Sequence, residues 1–310
     1  MTVLVTGANG FVGRWVVRAL LAAGHTVVAA HGPDGAAASW PAGVDTVPLD
    51  LMQAASVQQV AARSWDAVLH LAALSSGAQA LKDPGAAWAV NAAGTARLVG
   101  ELGRRRALKE SDPLVLVVST AEVYAPERRP LVETDAVAPR SPYAASKLGA
   151  EIAALEAARR TGLRVVVARA FPHTGPGQDE RFVAPAFARR LTLAKRTGAR
   201  VVEVGNLEVV REFTDVRDVA AAYALLLTRG EPGATYNVAS GRGFLLRDLF
   251  DTLARIVGVN AIPESDPAFL RPADLPHLVG DASKLTAQTG WQPTIPMEQT
   301  LRDLVDAQAD

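Results

Sequence analysis

An α/β fold built on a doubly wound parallel sheet, with a smaller, discontinuous α/β region toward the C-terminus, is what this chain predicts. Three observations carry the prediction. Short β-branched runs alternate with longer Ala-, Leu- and Arg-rich stretches through the first two-thirds. A glycine-rich turn directly follows the first such run. After about Phe171 the rhythm breaks, with Pro172, Gly175, Pro176 and Gly177 close together. Strict alternation of strand and helix needs right-handed crossovers, and these place helices on both faces of a parallel sheet.

Taken in order, Val3–Val5, Thr26–Val28, Thr46–Pro48, Ala67–Leu71, Leu114–Val118 and Arg164–Ala168 read as buried strands. The stretches Gly13–Ala23, Ala55–Arg63, Pro84–Leu102 and Tyr143–Thr161 read as helices between them. Arg104, Arg105 and Arg106 suit a solvated helix end, where cations complement the dipole. In the late part Pro263, Pro267, Pro272 and Pro276 mark loops.

Composition narrows the function classes. The chain has 310 residues, 49% hydrophobic and 21% charged, enough for a full core and too apolar for disorder. Thirty-two basic and 32 acidic residues cancel, so the basic excess of a nucleic-acid binder is missing. With no cysteine there is no disulfide, thiolate metal site or cysteine nucleophile. No uninterrupted apolar run approaches the ~18 residues of a membrane helix, and no leader pattern precedes Val3-Leu4-Val5. The expectation is a cytoplasmic enzyme.

The turn after the first run reads Thr6-Gly7-Ala8-Asn9-Gly10-Phe11-Val12-Gly13. Glycines three apart let the backbone turn tightly and approach a pyrophosphate, which the N–H groups of the following helix can bind. Gly7, Asn9, Gly10, Phe11, Val12 and Gly13 are therefore candidate cofactor residues. At the end of the second strand, where an NAD site places an acid, stands Ala30-His31-Gly32, and the first acid is Asp34 after a proline. Arg14 is the nearby cation, so NADP(H) is favoured over NAD(H). Asp50-Leu51 follows the third strand and is a candidate contact to adenine.

Ser119-Thr120 ends the fifth strand, and Ser141-Pro142-Tyr143-Ala144-Ala145-Ser146-Lys147 opens the last helix of the first region. Pro142 suits a first helical turn, which puts Tyr143 and Lys147 on one face, one turn apart. An ammonium near a phenol is expected to favour the phenolate, so that Tyr143 can pass a proton to or from a sugar or alcohol oxygen. The Thr120 hydroxyl can orient the same oxygen. The histidines His25, His31, His70 and His277 show no metal-ligand spacing, and no metal is expected.

Together these motifs resemble the extended short-chain dehydrogenase/reductase family along essentially the whole chain. His70-Leu71-Ala72-Ala73 is similar to its fourth-strand motif and Asn91 to its helix asparagine. Ser119 through Tyr124 and Tyr143 through Lys147 are similar to its active site, and Tyr236-Asn237-Val238-Ala239-Ser240-Gly241 to its late strand. The resemblance implies a Rossmann sheet of about seven strands and a nicotinamide cofactor. It implies that residues 1–170, with about 209–238 returning, form the NAD(P)-binding domain. Residues 171–208 and 239–310 would then form the substrate domain. Leu71, Ala72, Ala73, Asn91, Ser119, Tyr143 and Lys147 are implied in cofactor binding.

Four segments resemble the branch of that family acting on GDP-sugars, above all the reductases of GDP-4-keto-6-deoxy-D-mannose, which form GDP-D-rhamnose. They are Ala170–Gln178, Val204–Glu208, Arg211–Asp218 and Leu270–Lys284. The resemblance implies that Arg211 and Arg271 bind the diphosphate, Asp274 the ribose hydroxyls, and Glu122, His173 and Val183 the substrate. Pro172 stands where relatives usually carry a substrate-contacting Asn, so either His173 or a backbone group would take that place or the substrate is held differently. A GDP-mannose 4,6-dehydratase or other nucleotide-sugar epimerase/dehydratase, with Glu122 as the base at C5, is the alternative. A non-catalytic NADP-binding sensor is the second alternative. A homodimer through a four-helix interface is also implied, for which the Ala-rich faces of the Pro84–Leu102 and Tyr143–Thr161 helices allow close approach.

Overall fold

The structure, a computed structural model, describes residues 1–33, 40–269 and 275–309. The chain runs β1 (Thr2–Thr6), α1 (Phe11–Ala22), β2 (Thr26–His31), β3 (Val44–Pro48), α2 (Ala54–Ala61) and β4 (Ala67–His70). It continues through α3 (Gly77–Lys82), α4 (Pro84–Ala87), a wide π-helical turn over Trp88–Gly94, α5 (Thr95–Ala107), β5 (Leu114–Thr120) and α6 (Pro142–Thr161). Then come β6 (Arg164–Ala170), β7 (His173–Thr174), α7 (Val183–Thr197), β8 (Val201–Val204), β9 (Val210–Glu212), β10 (Thr214–Asp215) and α8 (Val216–Arg229). The chain ends with β11 (Thr235–Val238), β12 (Gly243–Leu245), α9 (Leu246–Val257), β13 (Ile262–Ser265), β14 (His277–Leu278), α10 (Ser283–Thr289) and α11 (Met297–Ala309).

Seven strands form one parallel sheet in the order β11-β6-β5-β4-β1-β2-β3. This is the doubly wound α/β architecture expected. Alternating side chains explain its two cores. Val3, Val5, Leu116, Val118, Val166 and Ala168 face α1 and α8, while Leu4, Val115, Val117, Val165 and Val167 face α5 and α6. Sheets buried on both faces read as continuous apolar runs, which is why these strands were legible. The chain order reverses between β1 and β4, and ligands of such sheets bind beyond the carboxyl ends at that point.

The last third contributes β11 to the edge of the sheet and builds a separate apolar cluster from α7, α9 and α11 with β8, Leu207 and Val209. That cluster includes Phe187 packed edge-on against Phe250. Small pairings, β12-β9-β14, β13-β8 and β10-β7, complete the described residues.

Two local expectations are corrected, the first at Pro263, expected to mark a loop and found inside strand β13. The Pro84–Leu102 stretch is not one regular helix: it widens into the π turn at Trp88–Gly94 and runs on to Ala107. Before it lies the short α3, capped by Ser76 Oγ accepting from Gln79 N. Six residues are too few to show a helical period, so its apolar spacing was invisible. Among the described residues no helix is long and apolar enough to cross a membrane.

Candidate active site

At the switch point the glycine loop is shaped by close backbone approach. Gly7 has φ 68°, and a Cβ there would stand 2.8 Å from Ala72 N. A Cβ on Gly13 would collide with the Gly7 and Ala8 carbonyls, so the α1 N-terminus packs directly on the loop. Gly10 caps α1 without a side-chain hydrogen bond, and the first turn holds no acidic residue. Its N–H groups therefore suit an anionic pyrophosphate, and the loop fits a dinucleotide. Arg14 lies exposed on the first turn, donating from Nε to Asn9 O at 3.2 Å. After β3, Asp50 Oδ1 accepts from Met52 N at 2.8 Å and buried Leu51 packs against Gly94. Asp34 lies outside the described residues.

Beneath the loop runs a buried polar chain. Ala72 N donates to Thr6 Oγ1 at 3.1 Å, and Thr6 Oγ1 lies 2.7 Å from His70 Nδ1. His70 Nε2 lies 2.9 Å from Thr95 Oγ1, which donates to Asn91 O at 2.6 Å. Thr95 gives its one proton to Asn91 O, so His70 Nε2 carries the proton toward Thr95 Oγ1, and in the neutral ring Nδ1 accepts from Thr6 Oγ1. Burial, with Lys147 nearby, lowers His70 to about 3, consistent with that form. The chain braces Leu71-Ala72-Ala73 against β1. Asn91, in the π turn, accepts from Leu74 N at 2.7 Å and donates to Leu74 O at 3.1 Å and Ser146 Oγ at 2.9 Å. Its amide thus joins the loop after β4 to the helix of Tyr143 and Lys147.

Pro142 stands at the start of α6, with Ser141 Oγ accepting from Ala144 N. Tyr143 and Lys147 then share a face, with Thr120 arriving from β5. The Thr120 hydroxyl interacts with the phenol of Tyr143 and accepts from Glu122 N at 3.3 Å. The expectation that Lys147 would draw the phenol toward phenolate is corrected. Desolvation and the half-buried Glu122 carboxylate push Tyr143 up, with the Thr120 hydrogen bond opposing. Tyr143 is therefore held protonated. Burial pushes Lys147 down to about 8, opposed by Glu151. Among the described residues Ser119 Oγ is buried with no hydrogen-bond partner.

On the other side of the crevice, His173 stacks on Phe11 with ring centroids 6.3 Å apart, and its Nδ1 lies 2.9 Å from Phe171 O. Burial lowers its pKa, so it is neutral at neutral pH. Pro172 has a structural use here: its carbonyl accepts from Thr214 N at 3.0 Å, joining β7 to β10. Val183 opens α7, half-buried against the apolar cluster of that region. Arg211 lies in β9, donating from Nη1 to Val210 O at 2.8 Å. Arg271 and Asp274 lie outside the described residues; the chain re-enters at Leu275, and Pro276 O accepts from Val210 N beside Arg211. Among the described residues no group of three or more His, Asp or Glu side chains is placed to hold a metal.

Several buried groups carried no sequence signal of their role. Glu151 and Arg169 form an ion pair at 2.8 Å. Glu212 accepts from Ser240 N at 2.5 Å and Gly280 N at 2.6 Å, knotting the loop after β11 to the segment after β14. Asn237 receives the Tyr124 hydroxyl at 2.7 Å. Tyr124, Glu212 and Asn237 lie within motifs already singled out and Glu151 and Arg169 lie just outside them, but their partners are distant in sequence.

The sequence model for GDP-mannose 4,6 dehydratase matches residues 4–304. GDP-6-deoxy-D-mannose reductase of Pseudomonas aeruginosa is 37% identical over 307 residues, 97% of this chain and 95% of that protein. The structure of RMD from P. aeruginosa complexed with NADPH superimposes with a TM-score of 0.83 at 34% identity, covering 99% of this chain and 98% of that one. A UDP-glucose 4-epimerase of Thermus thermophilus in complex with NAD has a TM-score of 0.85 at 31% identity, over 99% and 98% of the two chains.

Proposed function

This chain belongs to the GDP-mannose 4,6 dehydratase family within the extended short-chain dehydrogenases/reductases, and on that premise we propose a specific reductase activity. It reduces the C4 keto group of a GDP-4-keto-6-deoxyhexose, giving GDP-D-rhamnose or a close relative. The observation that carries the reading is Tyr143, held protonated beside Thr120 at the carboxyl edge of the sheet. A phenol that keeps its proton is the donor that reduction of a carbonyl requires.

The nicotinamide cofactor, when bound, supplies the hydride. Gly7, Asn9, Gly10, Phe11, Val12 and Gly13 would hold its pyrophosphate, and Asp50 and Leu51 its adenine. Leu71, Ala72, Ala73 and Ser119 would line its path, with Asn91 holding that wall in place. Exposed Arg14 would accept a 2′-phosphate, which favours NADP(H) over NAD(H). Tyr143 hands its proton to the C4 oxygen, Thr120 steadies that oxygen, and the Lys147 ammonium stabilises the phenolate left behind. On the substrate side Arg211 and Arg271 would pair with the diphosphate and Asp274 with the ribose. His173 and Val183 would line the sugar, and Glu122 would contact it beside Tyr143.

A GDP-mannose 4,6-dehydratase is the second reading, favoured by the Glu122 carboxylate close enough to raise Tyr143. Two incubations separate the readings. With GDP-mannose, a separate 4,6-dehydratase and NADPH, the reductase consumes NADPH and yields a GDP-6-deoxyhexose. Conversion of GDP-mannose to the 4-keto sugar by this protein alone would establish the dehydratase instead. No turnover with GDP-, UDP- or dTDP-sugars, with NADP binding retained, would make it a sensor.

A homodimer is proposed through α5, α6 and the π turn. Trp88, Ala92, Ala96, Leu148, Gly149 and Ile152 line a shallow apolar groove across them. Trp88 and Ile152 are 47% and 59% exposed there. Exposed large apolar side chains in one patch mark an association surface.

A further inference from the structure

We propose that Glu151, clamped by Arg169, is the positioning residue that keeps Lys147 in its ammonium form beneath Tyr143. A buried ion pair away from the reacting atoms then sets the alkaline limit of activity.

Lys147 and Glu151 are one turn apart on α6 and both are buried, at 5% and 2% exposure. A buried ammonium without a counter-charge loses its proton readily. Burial pulls Lys147 down to about 8, and the Glu151 carboxylate works against that fall. Arg169 fixes the carboxylate bidentately, with Nε to Oε1 at 3.1 Å and Nη2 to Oε2 at 2.8 Å. Arg169 is itself immobilised: its guanidinium lies 4.6 Å from the centre of the Tyr124 ring, and Nη1 donates to Glu133 O at 3.4 Å. On β6 it is the register partner of Ser119, next to Thr120, so the fork is anchored to the strand that delivers the active-site hydroxyl.

The other groups around the pair do not duplicate this charge. His70, from β4, is neutral through burial. Tyr143 and Tyr124 are held protonated, and the Glu122 and Glu133 carboxylates bear on those two phenols. Tyr223, from α8, faces Tyr143 and is pushed up by burial. A bare stabilising staple between α6 and β6 would be a poor use of two buried charges, since an apolar pair of similar volume is often as stable.

The test follows Lys147 by NMR of isotope-labelled lysine in the cofactor-free protein, and kcat against pH with NADPH and the 4-keto sugar. Glu151→Gln should move both the Lys147 titration and the alkaline limb to lower pH, by on the order of one unit. Arg169→Gln releases the carboxylate from the place the fork gives it, so both should again move to lower pH. A Lys147 titration lowered in both variants is what a structural staple does not produce. Glu151→Asp should hold near the wild type. A folded Glu151→Gln with an unshifted Lys147 overturns the proposal. If Glu151→Gln does not fold, Arg169→Gln decides, and an unshifted or raised Lys147 there overturns it. The kinetic arm rests on the reductase reading and the titration arm does not. A shifted titration without turnover would therefore fail that reading alone.

Discussion

Thr6 and His70 are register partners at the carboxyl ends of β1 and β4, joined by a 2.7 Å hydrogen bond where the sheet reverses its order. The glycine loop follows one strand and the Leu71-Ala72-Ala73 wall follows the other. The bond therefore ties the two loops together at the crevice floor, and the chain beyond it reaches Asn91 and α6.

Asn91→Leu keeps the volume and leaves the Leu74 backbone and Ser146 without their partner. Lost buried hydrogen bonds of this kind cost about 1–3 kcal/mol. Urea unfolding should show that loss, and NADPH titration should show weakened binding because the loop after β4 is released. Unchanged cofactor affinity would remove Asn91 from the support of the site.

Tyr143→Phe keeps the ring and removes the proton donor. Turnover should fall by roughly two to four orders of magnitude, in line with the loss of a general acid. The dissociation constant for NADPH should stay within about twofold, measured by fluorescence, because the phenol contributes little to ground-state binding. Near-normal kcat would exclude Tyr143 as donor.

Arg211→Ala should weaken GDP and the GDP-sugar alike while sparing NADPH. A charge-assisted contact of ~1.5–3 kcal/mol corresponds to roughly tenfold to a hundredfold. Arg271→Ala should do the same. Calorimetry showing unchanged GDP affinity in both variants would leave a ketone reductase without its nucleotide-sugar specificity.

Trp88→Glu with Ile152→Glu places charge in the groove between the π turn and α6. The ring of Trp88 lies over Gly149, where a Cβ would come within 2.9 Å of it, so the patch is flat and closely packed. Light scattering should give a dimer for the wild type and a monomer for the double variant. A monomeric wild type at micromolar concentration counts against the dimer.

Two buried groups should oppose each other in the acid stability of the protein. His70 is lowered from 6.5 to about 3, so the unfolded chain binds its proton first and His70 favours unfolding as pH falls below 6.5. Glu212 is raised from 4.5 to about 7 by burial, against several backbone N–H donors, so the folded chain binds its proton first. Its contribution is present below 4.5 and is lost as pH rises to about 7. Between pH 4.5 and 6.5 the two slopes cancel. Glu212→Gln should therefore lose stability toward acid by about 1.4 kcal/mol per pH unit more than the wild type across that window, read by urea unfolding. Parallel pH profiles for the two proteins would refute the pairing.

What the amino-acid sequence determined by itself are relations within one element or one turn. Apolar runs on strands buried on both faces announced the parallel sheet. Glycine spacing announced the tight loop before α1, and Tyr143 and Lys147, four residues apart behind Pro142, announced a shared helical face. These are local because backbone period and φ preference act over a few residues. The tertiary structure alone decided relations across long separations. Thr6 meets His70 across 64 residues, Glu212 holds Gly280 across 68, and β11 returns to pair with β6. The direction of the Tyr143 shift belongs to the same class. Spacing places Lys147 one helical turn from the phenol, but only the packed structure shows that desolvation and Glu122 push Tyr143 up against the Thr120 hydrogen bond. Burial and charge depend on which distant segments close over a group, and that is settled by the packing of the whole chain.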